Sequence, residues 1–537
     1  MKTIYYLKPL AFFCLSFLFI FNSLAQADCL PPSRTTEISG NNIRTALSNN
    51  GTLFHRGGGI AGFTVPKNSG KTTIFSSTIW LGGLDEQDSL HVAAMLFNQN
   101  GNDFWTGPIS DAGAPTGARY DRFWGVSKEQ IEYHKLHYAD SGYEMPESIA
   151  TWPAHGRAQD GESWNLAPYK AVNGSGRYTP ELGDYPEIRG DYAVYFIMND
   201  RCGRHSESGG TAFGIEILCM VYAYDSPDSA LYNTLFLSYV VRNKSAKNYK
   251  DFYFGFWTDF DIGYAYDDYV GCDTLLNLAY GYNGYEIDGS GQSWAYGAIP
   301  PAQGTMFLNH KMNAFVYHNN DNSPFGNPNT AIHYYNYARA IWKDGTPMTY
   351  GGNGYNPGST DYTNFMFSGD PATQTGWTEV SEGNVPNDRR GLMSAGPLTL
   401  PAGKSLCFDM ALPFARDYEG NHLTSVTLLK QRAQAIQQFY DNQNFENNCS
   451  INVGIKENKI HNNQLLIYPN PSNGQFTVTS EKIIESIELY DVLGKKVFSN
   501  TPKVQTTQIN TGLPKGLYIY RAILQDNTMR SGKIIVQ

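Results

Sequence analysis

The chain has 537 residues, with 40 Lys and Arg against 50 Asp and Glu, a formal net charge of −10 and 14% aromatic residues. An acidic chain without a Lys/Arg cluster is a poor candidate for binding nucleic acid or anionic lipid. Its length exceeds what one hydrophobic core usually organises, so we expect two to four domains.

The first residues have the pattern of a secretory signal. A basic start precedes the apolar run Leu10 to Phe21, and Leu24-Ala-Gln-Ala27 offers small residues where a signal peptidase cleaves. The run is shorter than the roughly 20 residues that cross a bilayer. We therefore predict a signal peptide over residues 1–27 and a mature chain from Asp28. Loss of its two lysines moves the net charge from −10 to −12.

The cysteine count fits export. One of the seven cysteines leaves with the signal, and an even number in an oxidising compartment predicts disulfides. Sequence alone cannot choose the pairing, and free buried thiols are the alternative. The candidates are Cys29, Cys202, Cys219, Cys272, Cys407 and Cys449.

Most of the chain has the composition of a β-protein. Runs such as Ile215 to Tyr224 are rich in aromatic and β-branched residues and are bounded by turn formers, at a spacing typical of sandwiches. We predict a predominantly all-β, multi-domain fold of antiparallel β-sandwiches with a few helices. Its divisions are an N-terminal β-rich domain with one helix over 28–160, a central sandwich body with a closing helix over 161–441, a polar linker over 442–464, and a small domain over 465–537.

Two helices interrupt the strands. Ser127-Lys-Glu-Gln130 has the spacing of a capping box and predicts a helix that ends near Tyr138. Apolar residues recur at helical spacing within Ser425 to Tyr440 and predict the closing helix.

Short strands with Gly, Pro and Asn turns follow the linker, and we predict seven of them in a small Ig-like antiparallel sandwich. Four sequence blocks characterise this unit: Tyr468-Pro-Asn-Pro-Ser-Asn-Gly474, Leu489-Tyr-Asp-Val-Leu-Gly494, Leu513-Pro-Lys-Gly-Leu-Tyr518 and Gly532-Lys-Ile-Ile-Val536. Its motif residues are Tyr468, Pro469, Asn470, Pro471, Gly474, Asp491, Gly494, Gly516, Tyr518 and Lys533.

The four blocks, in this order and spacing, resemble the type A C-terminal sorting domain of type IX secretion. The resemblance implies recognition by the type IX secretion machinery and delivery to the extracellular side of the outer membrane. It also implies removal by a sortase-like peptidase, with cleavage between Ser450 and Gln464, and then release or attachment to surface lipopolysaccharide. It implies no activity, because cargo of many kinds carries such a domain.

The body also resembles a group of large surface proteins from bacteria that have type IX secretion. No activity is assigned to that group. Phrases that carry this resemblance include Ile79-Trp-Leu-Gly-Gly83 and Gly183-Asp-Tyr-Pro-Glu-Ile-Arg-Gly-Asp191. The resemblance covers most of residues 38–441 and brings no catalytic residues with it.

The richest acidic segment runs from Trp257 to Asp273. Two of its aspartates are two positions apart at a strand end, where their carboxylates share a face, and the others follow in a loop. Five carboxylates so close repel one another unless a cation or hydrogen-bond donors compensate them. The segment therefore predicts a Ca²⁺ site, with acidic turns as the alternative. The ligands would be Asp259, Asp261, Asp267, Asp268 and Asp273.

Other candidate sites are weaker. Asn173 to Asp184 only loosely follows a calcium loop, and a plain turn is favoured. His134 and His137 have the spacing H-x-x-H without a third ligand, which favours surface histidines. No serine or cysteine hydrolase motif and no phosphate-binding loop occurs, so no catalytic residue is assigned.

We therefore expect a cell-surface binding, adhesin-like or structural protein, with Ca²⁺ as the expected cofactor and a glycan or protein as ligand. The alternative is an extracellular polysaccharide-active enzyme, a glycoside hydrolase or lyase. Paired carboxylates in an aromatic-lined groove would favour the enzyme.

Overall fold

A computed structural model describes residues 32–97, 101–110, 117–172, 174–443, 445, 465–468, 470–491, 495–526 and 529–537. The predicted signal peptide, most of the predicted linker, Cys29 and Cys449 lie outside these ranges. The chain divides into two compact units, Met1–Ile451 and Asn452–Gln537, which we call the body and the tail. Within the described ranges, no helix combines the length and the apolar character needed to cross a membrane.

The body contains 21 of the described strands. Those before residue 190 are β1 (Thr35–Ile38), β2 (Thr45–Ser48), β3 (Phe63–Thr64), β4 (Thr72–Leu84), β5 (Leu90–Ala94), β6 (Trp105–Thr106), β7 (Trp124–Ser127), β8 (Tyr169–Lys170) and β9 (Tyr185–Pro186). The later ones are β10 (Tyr192–Asn199), β11 (Ile215–Ala223), β12 (Thr234–Asn243), β13 (Tyr249–Phe260), β14 (Asp268–Asp273), β15 (Leu278–Asn283), β16 (Ile287–Asp288), β17 (Gly297–Ala298), β18 (Ala302–Phe307), β19 (Ala314–His318), β20 (Arg389–Leu400) and β21 (Ser405–Ala415).

Seven described α-helices accompany them: α1 (Gly117–Tyr120), α2 (Lys128–His137), α3 (Glu147–Ala150), α4 (Ser229–Tyr232), α5 (Ala331–Ala338), α6 (Glu379–Glu382) and α7 (His422–Asn442). Both predicted helices are confirmed. The Ser127–Gln130 capping box precedes and opens α2, and Asn421 is the N-cap of α7, where its side chain accepts from the backbone amides of Leu423 and Thr424.

Two antiparallel sheets form the body. The first has nine strands in the order β14-β15-β18-β21-β12-β11-β10-β6, with β7 also paired to β10. The second has six, in the order β19-β20-β13-β4-β3, with β5 paired to β4. The remaining body strands form short two-stranded sheets.

The main core lies between these two sheets, because alternate residues of their strands point toward each other. Phe254 of β13 stacks on Phe408 of β21 with ring centroids 4.0 Å apart. The opposite face of the nine-stranded sheet packs against α7 through Val426, Leu429, Ala433 and Ile436. The body is therefore a sandwich with a helix closing one outer face.

Strands from both predicted body domains share the same sheets. Strands β4 and β5 pair with one another and β4 pairs with β13, while β6 and β7 pair with β10. The predicted division of the body at residue 160 is therefore wrong. The boundary rested on the turn-forming residues between Ala158 and Gly176, and turn composition alone does not mark a domain boundary.

The tail has six described strands: β22 (Leu466–Tyr468), β23 (Gln475–Tyr490), β24 (Lys496–Asn500), β25 (Val504–Asn510), β26 (Gly516–Leu524) and β27 (Met529–Val536). Seven short strands were expected, but β23 is a single long strand that covers two of them. Its first half pairs with β22 and β25, and its second half with β24 and β26. Its own core contains Phe476, Ile487, Leu489 and Ile534.

Candidate functional site

The candidate site lies at one end of the strands of the six-stranded sheet, where β13 and β19 end and β20 begins. Asp259 pairs with Arg390, and Arg390 pairs with His318 on the other side. Because side chains two positions apart share a face of a strand, Asp261 and Asp388 extend the same face by one more row. Residues far apart in sequence thus converge on one face of the sheet.

Three carboxylates meet there. Asp259, Asp261 and Asp388 each offer one oxygen, and these oxygens all lie within 4.8 Å of one another. We call these residues the acid cluster. Arg390 donates from Nε to Asp259 Oδ2 at 3.2 Å, and its Nη2 lies 3.0 Å from Asp388 Oδ2. The Arg390 guanidinium therefore contacts two of the three carboxylates.

The acid cluster is incompletely satisfied. Asp259 is only 1% exposed, and its Oδ1 has no hydrogen-bond partner among the described residues. Asp388 Oδ1 is also buried and unpartnered within the described ranges. Buried polar atoms are nearly always paired, so such atoms point to a missing partner.

Electrostatics in the cluster favour protonation. Burial, with the adjacent Asp261 and Asp388 charges, raises the pKa of Asp259 well above its usual range, although Arg390 opposes the shift. Burial and the Asp388 charge raise the pKa of Asp261 to about 7. Repulsion between the carboxylates is therefore only partly relieved by Arg390.

The histidine in the same row is neutral. His318 accepts a hydrogen bond at Nε2 from Trp257 Nε1 at 2.9 Å, and burial lowers its pKa to about 3. It therefore adds no positive charge beside Arg390.

An open polar pocket of about 270 Å³ adjoins the cluster. Its lining combines amides, carboxylates and one aromatic ring, and Asp388 belongs to both pocket and cluster. The lining residues are Tyr266, Asn319, Asn320, Asp321, Asn387 and Asp388. Such side chains offer both donors and acceptors, and the Tyr266 side chain is 61% exposed.

A buried ion pair between Arg389 and Glu379 lies next to this pocket on the side of β20. Arg389 donates from Nη2 to Glu379 Oε2 at 2.9 Å and to the Val385 carbonyl at 2.8 Å. Glu379 Oε1 also accepts from the Val270 amide at 2.8 Å. This pair links α6, β14 and the segment that leads into Asn387 and Asp388.

Only two of the five predicted calcium ligands, Asp259 and Asp261, belong to the acid cluster. Asp267 Oδ2 accepts from the Gly289 amide and Asp268 Oδ2 from the Ile262 amide, each at 2.9 Å. Asp273 lies 3.3 Å from the Lys430 ammonium. Asp267 and Asp268 thus serve as loop acceptors through Oδ2, while the Oδ1 atom of each has no partner among the described residues. The predicted role of these three aspartates as calcium ligands stays a prediction.

Sequence reasoning missed Asp388. It lies 129 positions after Asp259, in Asn387-Asp-Arg-Arg390, and no motif spacing connects the two segments. The only local signal is the charged run Asp388-Arg-Arg390, which by itself does not indicate a ligand.

The other predicted site residues have structural contacts. His134 is buried, donating from Nε2 to the Asp184 carbonyl and accepting at Nδ1 from the Tyr143 hydroxyl, both at 3.0 Å. It is therefore a core histidine rather than the expected surface residue. Asp184 accepts from Val172 and Thr179 in a turn, and Asn173 lies outside the described residues.

The cysteine prediction holds for part of the set. Cys202 and Cys407 each take part in a disulfide. Cys219 and Cys272 are free and buried, so the expectation of disulfides is wrong for these two, which pack as small apolar side chains in the main core.

Several motif residues of the tail form hydrogen bonds or turns at the ends of the strands of its sheet. Asn470 donates from Nδ2 to the Lys533 carbonyl at 2.8 Å and accepts at Oδ1 from the Ile535 amide at 2.9 Å. Tyr518 donates to the Pro514 carbonyl at 2.8 Å, and Asp491 accepts from the Lys495 amide. Gly474 has a φ of 94°, which favours glycine. Pro469 and Gly494 lie outside the described residues.

Comparisons with known proteins bear on the tail. Residues 466–537 match the family model described as a secretion system C-terminal sorting domain. No curated protein matches the chain.

Similarity to solved structures is slight. A polysaccharide lyase is 9% identical with a TM-score of 0.19, over 70% of this chain and 40% of the lyase. PorZ, a surface component of the type IX secretion system of Porphyromonas gingivalis, is 8% identical with a TM-score of 0.13, over 94% of this chain and 75% of PorZ. The chain thus spans less than half the length of the lyase, and neither score is high enough to assign a fold or a function to the body.

What the comparisons identify is the tail: residues 466–537 are a secretion system C-terminal sorting domain, and the protein is type IX secretion cargo delivered to the cell surface.

Proposed function

We propose that the body is a surface-displayed binding module, and that the pocket beside the acid cluster binds a neutral glycan. The observation that carries this proposal is the lining of the pocket: three asparagines and two aspartates with one exposed tyrosine. Sugar hydroxyls both donate and accept hydrogen bonds, as amide side chains do. An exposed aromatic ring offers the apolar face on which a sugar ring stacks.

The charge of the site also favours a neutral ligand. Asp321 and Asp388 line the pocket, and the acid cluster lies beside it. Among the described residues, Arg390 is the one cation in an ion pair with the acid cluster. An anionic ligand would be repelled by these carboxylates unless a cation intervened.

A glycan array probed with the purified full-length protein tests the proposal. Tyr266→Ala and Asn387→Ala should each weaken binding to the best ligand by at least tenfold, since each removes a pocket contact. Tyr418→Ala is the matched control, because Tyr418 is 62% exposed but does not line the pocket. If both pocket variants bind as the wild type does, the pocket is not the binding site.

One observation favours a second candidate, an enzyme that cleaves polysaccharide. Asp261, whose pKa is raised to about 7, lies within 4.8 Å of another carboxylate. Glycoside hydrolysis uses a pair of neighbouring carboxyl groups, one of which has a raised pKa. Incubation of the array-selected glycan with the protein tests this candidate. Reducing ends that appear with the wild type and not with Asp261→Asn would support it, and binding without product would exclude it for that glycan.

The sorting domain supports a processing proposal as well. We propose removal of the tail by a sortase-like peptidase between Ser450 and Gln464, followed by release or attachment to surface lipopolysaccharide. Intact-mass analysis of protein from the cell surface and the medium should give a chain that begins at Asp28 and ends in that interval. A surface species that retains Val536 and Gln537 would refute the removal.

A further inference from the structure

We propose that Asp259, Asp261 and Asp388 hold one Ca²⁺ ion at the side of the pocket. This site differs from the five-aspartate site that the sequence suggests. It excludes Asp267, Asp268 and Asp273, and it includes Asp388, which directly precedes β20. It does not depend on what the pocket binds.

The geometry suits a hard cation. Ca²⁺ takes oxygen ligands at about 2.3 to 2.6 Å, so two ligands on opposite sides of the ion are up to about 5 Å apart. The three carboxylate oxygens lie within 4.8 Å of one another and fit around one such ion. The acid cluster offers carboxylate oxygen and no sulfur or imidazole ligand, which favours Ca²⁺ or Mg²⁺ over Zn²⁺.

A second observation independent of the clustering points to a ligand. Asp259 is 1% exposed, yet its Oδ1 has no partner among the described residues, and neither has the buried Oδ1 of Asp388. A buried carboxylate oxygen left unpaired costs about 1 to 3 kcal/mol or more. A cation between the carboxylates would satisfy these atoms, whereas a single shared proton would satisfy only one pair.

The local charge matches a divalent ion. Three carboxylates and the Arg390 guanidinium give a net charge of about −2 when all are ionised, and His318 remains neutral because its Nε2 accepts from Trp257. A divalent cation would neutralise this charge.

The open side of the pocket offers room for the remaining ligands. Ca²⁺ takes six to eight oxygens, more than three carboxylates supply. Asp388 belongs to both the cluster and the pocket lining, so the ion would face a space of about 270 Å³ that admits water. Mg²⁺ demands a tighter octahedron at about 2.0 to 2.1 Å, so Ca²⁺ is the ion that we assign.

Isothermal titration of the full-length, chelator-treated protein with CaCl₂ tests the site. We expect one ion per chain with a Kd in the range of extracellular modules, about 0.1 to 1 mM, and a higher melting temperature in 5 mM Ca²⁺. Asp388→Asn and Asp261→Asn should each weaken the affinity by at least tenfold. Both side chains are partly exposed, so these variants should fold.

Asp273→Asn is the matched control, because it removes the same charge from the same acidic segment but from a residue that pairs with Lys430. Its calcium affinity should equal that of the wild type. Wild-type protein that binds no Ca²⁺, variants of Asp261 and Asp388 that bind normally, or binding of Mg²⁺ as tight as that of Ca²⁺ would each overturn the assignment. Because no glycan is present, this result is independent of the array experiment.

Discussion

Removal of the Arg389 charge should strongly destabilise the body. Glu379 is fully buried and the Arg389 side chain is only 6% exposed, and Arg389 contacts both carboxylate oxygens at 2.9 to 3.2 Å. Arg389→Met would leave an uncompensated carboxylate whose remaining partners are the Val270 amide and the Asn384 side chain. Breaking one side of a buried pair costs about 3 to 5 kcal/mol, and we expect a loss of that size.

The double variant separates charge from packing. Glu379→Gln with Arg389→Met removes both charges but keeps an oxygen for the Val270 amide, so the loss should fall to about 2 kcal/mol or less. Glu132→Gln is the control for an ordinary surface pair, because Lys135 and Glu132 are 36% and 54% exposed. It should cost less than about 1 kcal/mol.

Urea unfolding followed by tryptophan fluorescence measures these free energies in the full-length protein. All nine tryptophans lie between residues 80 and 377, so the signal reports the body without interference from the tail. If Arg389→Met costs no more than Glu132→Gln, or if the double variant is as unstable as the single one, the uncompensated charge is not the cause.

Three further predictions concern packing, pH and export. Gly281→Ala would place a Cβ 2.8 Å from the Phe260 ring and should cost about 1 to 3 kcal/mol in urea unfolding, whereas Gly358→Ala, whose Cβ meets only Asn356 at 3.5 Å, should cost less than about 1 kcal/mol. Burial lowers the pKa of His134, so the unfolded chain binds a proton at this residue more readily than the folded chain does. The stability that His134 contributes should be fully present above about pH 6.5 and fall as the pH is lowered below that value. His134→Gln should reduce that fall in melting temperature, and an unchanged pH dependence would refute the role of His134. Deletion of residues 466–537 should abolish delivery to the surface, as measured by fractionation and immunoblotting, and surface protein without the tail would contradict the assignment from the family match.

Local sequence patterns predicted the elements well. The capping box at Ser127 and the periodicity of Ser425 to Tyr440 depend on neighbours within a few positions, and both helices are present. The tail could be predicted because its motifs are linear and its turns are short. In each case the determining contacts lie close together along the chain.

What could not be predicted depends on strand partners. Which strand lies beside β13 is decided by packing across the sheets, and this pairing alone brings Asp388 to Asp259. The same limit explains the false domain boundary at residue 160, since sheet membership cannot be read from composition. The hydrogen bonds of Asp267 and Asp268 could not be predicted for the same reason. The backbone amides that donate to them, those of Gly289 and Ile262, are placed by the way the loops fold.

The strand order has a consequence for how the body folds. Strand β20 lies between β19 and β13, and β21 lies between β18 and β12, so the last two strands of the body occupy interior positions in the two sheets. Arg390 and Asp259 pair across 131 residues of sequence, and such high contact order makes folding slow. A nascent or truncated chain that ends before Arg389 would lack β20 and β21. Each sheet would then be interrupted, and the neighbouring strands would have unpaired edges that can aggregate. The acid cluster therefore cannot exist until the body is synthesised nearly to its end.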